Sequence, residues 1–234
     1  MPELFRQGTL EMSQVPFSEP VSAMMWSDVL TNRLAVIAAV VLLLVELSDI
    51  LMLIPHLLRC MPFWKGNAEL EHSVSISRTR NTVAFVCGVL FCVIADRYSL
   101  LDPSWRISLP DEWQLAGTVA LVFGVALLRG LLYLFTPLGS RTNEYACTVR
   151  HALYNYFILF VCLAVVSTAL MEAVRMPEAA ARIIILIEAI LLYVVDIWRT
   201  AQILSSRYGV FTTILYLCAL EFLPLGILIL TCTR

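Results

Sequence analysis

An acidic residue and a proline lie together in the last apolar stretch of the chain. Glu221 and Pro224 interrupt the run 210–230, which is otherwise largely hydrophobic. An ionised carboxylate in hydrocarbon costs about 2.5–3.5 kcal/mol on insertion scales, so Glu221 is expected to face protein or water. Pro224 lacks a main-chain N–H and clashes with the carbonyl of Leu220, so a helix is expected to kink here. The pattern predicts a local polar site, or a kink that neighbouring helices hold in place.

Further carboxylates fall inside apolar runs, together with one internal basic residue, Arg129. Glu46 and Asp49 are three residues apart, which places them on one face of a helix. We predict that Glu221 points into a helical bundle and that Arg129 is its charged partner, since each would otherwise be stranded in a low dielectric. The predicted polar site comprises Glu221, Arg129, Glu46, Asp49 and Glu188, with helix kinks at Pro224 and Pro55.

Asp196 also lies in an apolar run, but its neighbours argue against a place in this site. Trp198 and Arg199 follow it, and both residue types favour the membrane interface. Counting Asp196, five carboxylates face one guanidinium. They cannot all stay ionised cheaply, because burial disfavours the charged form. Two interpretations stay open: a proton or cation pathway, or interhelical hydrogen bonds of about 0.6 kcal/mol each that fix the bundle.

Motifs for metal, redox or hydrolytic chemistry are missing from the sequence. It contains no H-E-x-x-H, C-x-x-C, G-x-S-x-G, P-loop or dinucleotide pattern. His56 and His151 have no ligand-type partner one turn away, so we expect interfacial structural roles and no metal or cofactor. The cysteines are expected to be unpaired, small apolar residues; they are Cys60, Cys87, Cys92, Cys147, Cys162, Cys218 and Cys232.

Composition fixes the broad class of the protein. The 234 residues are 60% hydrophobic and 15% charged, with a mean hydropathy of +0.83. Soluble domains average about 45–50% apolar and about 25% charged residues, so the sequence predicts an all-α, polytopic membrane bundle. The net charge of −2 and the lack of a basic patch exclude nucleic acid as an expected partner.

Six apolar segments are candidates for membrane spans of about 20 residues. They cover roughly 33–58, 80–98, 113–135, 151–172, 181–203 and 210–230. Five spans are the alternative, with segment 80–98 as a buried half-helix. Residues 1–27 are predicted to form a polar, loosely ordered tail and 28–234 a single transmembrane domain. No signal peptide is expected, because acidic residues precede any apolar run.

The distribution of Lys and Arg predicts the orientation of these spans. One side carries Arg59, Lys65, Arg78, Arg80, Arg141, Arg150, Arg199 and Arg207. The other carries Arg6, Arg33, Arg97, Arg106, Arg175, Arg182 and Arg234. The first set is more concentrated near span ends, so we expect it in the cytoplasm and both termini on the periplasmic side. The five tryptophans all fall at predicted interfaces.

The C-terminal residues resemble the closing motif of an uncharacterised inner-membrane family of Bacteroidota. The similarity rests on Arg207-Tyr-Gly209 and on the run from Leu215 to Leu225, which fits Y-x-C-A-L-E-x-x-P-L. Arg129 within the third span and the polar segment before the second span resemble the same family more weakly. Segment 136–141 departs from it, because relatives often carry an aromatic, charged stretch there. The resemblance implies a multi-pass protein of the inner, plasma membrane, often encoded beside uroporphyrinogen-III synthase.

Three functions are compatible with these features. The first expectation is a non-enzymatic scaffold or accessory subunit of a membrane complex, with membrane-protein partners or further copies of the chain. The alternatives are a small proton- or cation-coupled transporter using Glu221 and Arg129, and a membrane-embedded enzyme or maturation factor. No internal repeat of the kind common in transporters is present, and no nucleophile or metal cluster typical of membrane enzymes stands out.

Overall fold

The protein is helical throughout the residues that its computed structural model describes, which are 26–61, 74–135, 144–206 and 208–233. No strand occurs in these ranges. Five helices are long and apolar enough to cross a membrane. The predicted all-α polytopic membrane bundle is therefore confirmed as a fold class. Nearly all of the predicted tail 1–27 lies outside the described residues; Trp26 and Ser27 belong to a 3₁₀ turn, Trp26–Asp28.

Several α-helices follow one another along the described residues. They are α1 (Leu30–Cys60), α2 (Val74–Arg97), α3 (Ser104–Ile107), α4 (Asp111–Phe135), α5 (Glu144–Ala173), α6 (Glu178–Ser205), α7 (Val210–Leu217) and α8 (Leu223–Thr233). A π-helical turn, Cys218–Phe222, joins α7 to α8 without a break. The candidate spans are Leu30–Cys60, Ile76–Arg97, Asp111–Tyr133, His151–Ala173 and Val210–Cys232.

Two of the predicted spans need separate comment. Segment 80–98, for which a buried half-helix was the alternative, forms α2, a continuous helix of 24 residues. Segment 181–203 lies in α6, whose 28 residues are long enough to cross a bilayer. However, α6 carries more charge than the five apolar spans, because Glu178, Arg182, Glu188, Asp196 and Arg199 all belong to it.

Successive long helices run in alternating directions between two ends of the bundle. At the first end, Trp26 contacts Asp96 near the end of α2, and Arg97 contacts Glu178 at the start of α6. At the second end, Tyr156 in α5 donates to the carbonyl of Cys60 at the end of α1. Helix α2 packs against α1, α4 and α5, while α6 packs between α5 and α7.

The main hydrophobic core lies where α1, α2 and α5 meet. On α1 the buried or half-buried positions recur every three or four residues, as Ala39, Leu43, Glu46, Ile50, Leu53, Leu57 and Cys60. This is the spacing of a seam between two packed helices. Apolar side chains on the other faces of α1 stay exposed, as expected for a helix that meets lipid on most of its circumference.

The two predicted kink prolines behave differently. Pro55 is accommodated inside the continuous helix α1. Pro224 is the second residue after the π-helical turn, and the N–H of the intervening Leu223 donates to the carbonyl of Cys218, five residues back. The wider turn is a known way to relieve a disrupted i→i−4 ladder, and such turns are frequent at functional sites. It places Glu221, the fourth residue of the turn, at 4% exposure.

Candidate functional site

Arg129 and Glu221 form an ion pair inside the bundle. The guanidinium Nη2 of Arg129, on α4, lies 2.5 Å from the Oε1 atom of Glu221 in the π-helical turn. The two side chains are 11% and 3% exposed. The predicted contact is thus present in the structure. Whether the predicted set of polar residues forms a functional site stays a prediction.

Two tyrosines hold this pair from different helices. Tyr133, one turn after Arg129 on α4, has its hydroxyl 3.4 Å from Glu221 Oε1 and 3.4 Å from Arg129 Nη2. The Arg129 guanidinium lies 5.2 Å from the centre of the Tyr133 ring, within the range of a cation–π contact. From α6, the Tyr193 hydroxyl donates to the main-chain carbonyl of Glu221 at 3.1 Å. The π-helical turn is therefore fixed by a side chain outside its own helix.

Asp196 completes this group, which we call the Glu221 cluster: Arg129, Tyr133, Tyr193, Asp196 and Glu221. Asp196 is 1% exposed and interacts electrostatically with both Glu221 and Arg129. Within the described residues, neither of its carboxylate oxygens receives a hydrogen bond. The Thr200 hydroxyl lies beside it but outside hydrogen-bond geometry. One guanidinium therefore serves two buried carboxylates, and only Glu221 is paired.

This imbalance has a chemical consequence. An ionised carboxylate that is buried without a donor is strongly disfavoured, because its lost hydration is not replaced. The Arg129–Glu221 pair is already neutral, so it offers Asp196 little compensation. Asp196 must therefore carry a proton or meet a cationic group in order to be stable in this position.

The remaining members of the predicted polar site lie elsewhere. Glu188 is two turns before Asp196 on α6 and accepts a hydrogen bond from Ser167 on α5 at 3.0 Å. Glu46 and Asp49 are half-buried on α1, and no hydrogen bond or ion pair to either is found in the described part of the chain. The structure thus brings Arg129 and Glu221 together but not the other three.

A second buried polar group, absent from the sequence predictions, closes the first end of the bundle. In this Asp96 cluster, the Asp96 carboxylate accepts from Trp26 Nε1 at 2.8 Å, Arg106 Nη2 at 2.7 Å and Thr118 Oγ1 at 2.9 Å. Arg106 also pairs with Asp102 and donates to the carbonyls of Leu101 and Gln114. The cluster joins the 3₁₀ turn, α2, α3 and α4.

A tight chain reversal after α2 makes this cluster possible. Ser99 adopts a left-handed conformation, with φ of 47°, and the N–H of Leu100 donates to the carbonyl of Ala95. This arrangement is a Schellman ending, which turns the chain back towards the helix. Next to it, the Tyr98 hydroxyl lies 3.4 Å from Glu172, and burial together with that carboxylate raises the pKa of the Tyr98 phenol. Tyr98 therefore stays protonated as a donor.

The sequence predictions missed Tyr133, Tyr193 and Asp196 as members of the site, and their spacing in the sequence indicates it only in part. Tyr133 follows Arg129 by four residues and Asp196 follows Tyr193 by three, so each pair shares a helix face. Asp196 was set aside because of Trp198, yet residues two apart point to nearly opposite sides of a helix. Trp198 is 63% exposed and Asp196 is buried. The Asp96 cluster has no such periodic signal, because its members come from four separate elements.

Metal-type clusters are not found in the described ranges: no group of three or more His, Cys, Asp or Glu side chains could hold an ion there. No disulfide bond joins the cysteines of these ranges, namely Cys60, Cys87, Cys92, Cys162, Cys218 and Cys232. The side chain of Cys147 lies outside the described residues. The five helices that are long and apolar enough to cross a bilayer define the class, a multi-pass membrane protein.

Comparison with known proteins adds no relative. The chain matches no protein-family model, no curated protein sequence and no solved structure.

Proposed function

We propose that this protein is a scaffold or accessory subunit that binds another membrane protein through α1. The observation that carries the proposal is the pair Glu46 and Asp49. Both are half-buried on α1 and lack a hydrogen bond or ion pair among the described residues. Glu46 lies 16 residues after Leu30 and 14 before Cys60, near the middle of the helix.

Carboxylates inside a membrane span usually face a polar or charged partner or water, because the bilayer does not solvate them. Each costs about 2.5–3.5 kcal/mol near the bilayer centre when it is ionised and unpaired. The two are three residues apart and share a face, where the packed seam of α1 borders exposed apolar side chains such as Leu47 and Leu51. A transmembrane helix that carries Lys or Arg would complement both the apolar surface and the charge.

Site-directed crosslinking tests this proposal. A photoreactive residue at Ser48, which is exposed between the two carboxylates, is expected to crosslink to one defined membrane protein in native membranes. A probe at Leu170 on α5, which is also exposed, serves as the control position. The E46Q/D49N variant is expected to lose the Ser48 product, while Glu112→Gln, a change at an exposed carboxylate, is expected to keep it.

The results separate the possible partners. A product whose mass equals two copies of this chain would make the partner a second copy. No product at Ser48, or one that persists in E46Q/D49N, would contradict the proposal.

A proton- or cation-coupled transporter is the second candidate, and Asp196 favours it. A buried carboxylate without a donor, beside an Arg–Glu pair, is a typical acceptor for a transported proton or cation. Reconstituted protein with a pH-sensitive dye inside the vesicles tests this: a proton leak or coupled flux should disappear in Asp196→Asn. No flux in the unmodified protein, or equal flux in the variant, would contradict this candidate.

The proposal also includes a location. The basic side chains at the second end support a cytoplasmic position for that end and a periplasmic position for both termini. The resemblance of the C-terminal motif supports an inner, plasma membrane of a Bacteroidota cell. A reporter enzyme fused after Arg234 that is active only outside the cytoplasm is expected to be active; activity of a cytoplasmic reporter instead would contradict this orientation.

A further inference from the structure

A groove of about 450 Å³ runs between α5, α6 and α8. Its size falls within the range of about 300–1,000 Å³ that is typical of small-molecule sites. The walls are almost entirely apolar, with Phe157 and Phe160 from α5, Ile185 from α6 and Leu228 from α8. We call it the Asp196 groove, because Asp196 is the one acidic residue that lines it within the described residues.

Asp196 lies at one end of this groove. Ile185 is the first α6 residue in its wall and Asp196 is the last. At 1.5 Å per residue they are about 16 Å apart along the helix. The carboxylate is 1% exposed and accepts no hydrogen bond within the described residues. A buried acceptor without a donor thus stands at the end of a long apolar surface.

The groove opens towards the lipid-facing side of the bundle. Ile190 and Ile229 line it and are 61% and 53% exposed, on α6 and α8 respectively. A molecule dissolved in the bilayer can therefore enter from the side, with its apolar part between these helices and its head group next to Asp196.

The charges around Asp196 restrict what that head group is. Glu221 adds negative charge, and the one guanidinium of the cluster, Arg129, is already engaged with it. Tyr133 and Tyr193 are neutral and direct their hydroxyls to Glu221. An anionic head would be repelled, a neutral head would require Asp196 to take up a proton, and a quaternary ammonium has no N–H to donate.

We propose that the Asp196 groove binds a lipophilic ammonium that carries an N–H: a molecule with an extended apolar body and a protonated amine that donates to the Asp196 carboxylate. This site is independent of the α1 surface proposed above, because Glu46 and Asp49 do not line the groove. The proposed ammonium binding therefore does not depend on whether the protein binds a partner through α1.

Native mass spectrometry of the protein in phosphatidylcholine nanodiscs tests the proposal. The probes are dodecylammonium, dodecyltrimethylammonium, dodecanol and dodecyl sulfate, which share one chain and differ in the head group. We expect one dodecylammonium per protein, bound roughly tenfold or more tightly than each of the other three, because a hydrogen bond to a charged group is worth a factor of this order.

Two variants localise the binding. Asp196→Asn is expected to reduce dodecylammonium affinity to the level of dodecanol, whereas Glu112→Gln is expected to leave it unchanged. Ala189→Phe, which fills the groove without touching the carboxylate, is expected to reduce the binding of all four probes. It keeps the test decisive if Asp196→Asn cannot be purified.

Two results would overturn the proposal. Equal binding of dodecylammonium, dodecanol and dodecyl sulfate would mean that the groove only accommodates lipid chains. Unchanged dodecylammonium binding in Asp196→Asn, or in Ala189→Phe when only that variant can be purified, would mean that the amine binds elsewhere.

Discussion

The Asp96 cluster and the Glu221 cluster are both buried and charged, yet they differ in how well their carboxylates are satisfied. Asp96 receives three donors from three different elements. Asp196 receives none within the described residues and shares one guanidinium with Glu221. Buried polar groups whose hydrogen bonds are all formed stabilise a unique packing. A buried polar group without a hydrogen bond lowers the stability of the fold, and its presence calls for a functional explanation. We therefore interpret the first cluster as structural and the second as the candidate site for the proton or the ammonium proposed above.

The largest effect is expected from removing the one guanidinium of the Glu221 cluster. Arg129→Leu strands two buried carboxylates and should reduce the free energy of unfolding by about 3–5 kcal/mol. Thermal unfolding in detergent, followed by far-ultraviolet circular dichroism, measures this loss. A variant as stable as the unmodified protein would show that Arg129 does not compensate these carboxylates.

A double-mutant cycle sharpens the same point. Arg129→Leu combined with Glu221→Gln should cost less than the sum of the two single changes, by about 0.5–3 kcal/mol, because each single change leaves a charge unpaired. Additive losses would mean that the 2.5 Å contact between the two side chains carries no coupling energy.

The Asp96 cluster should respond to the loss of a single charge. Asp96→Asn keeps the shape of the side chain but weakens three hydrogen bonds to a charged acceptor, so we expect a loss of about 2–3 kcal/mol. Since Trp26 donates to Asp96, its fluorescence should change in the folded variant. An unaltered Trp26 signal together with unaltered stability would contradict the assignment.

The smallest effect is expected at a cysteine. Cys218 is exposed and unpaired among the described residues, so Cys218→Ala should change stability by less than about 0.5 kcal/mol. Gels of the extracted protein with and without reductant should also coincide, for all seven cysteines. A reductant-dependent shift would reveal a disulfide bond.

The bundle was predictable because hydropathy alone places apolar helices in a membrane. The Arg129–Glu221 contact was predictable for a related reason: one internal base among several carboxylates has few possible partners, and burial forces them together. Helix α6 shows where this reasoning is weaker. Its charges lower its hydropathy, although one of them, Asp196, is buried against protein and Glu188 is half-buried.

The site itself was only partly predictable. Trp198 indicated the depth of Asp196 in the membrane but not the face on which it lies, because two residues span about 200° of a helix. The Asp96 cluster depends on the chain reversal at Ser99. Glycine is the residue that usually indicates a left-handed turn in a sequence, and this position is a serine. The hydrogen bonds that the 3₁₀ turn and α4 each make to Asp96 on α2 leave no periodic trace in the sequence.

The most direct test compares two matched substitutions, Asp196→Asn and Asp96→Asn, by their unfolding free energies under identical conditions. Because Asp196 accepts no hydrogen bond within the described residues, its replacement should be neutral within about 0.5 kcal/mol or stabilising. Asp96→Asn should show the loss of about 2–3 kcal/mol given above. A loss at Asp196 as large as that at Asp96 would contradict the distinction between a satisfied structural cluster and an unsatisfied binding site.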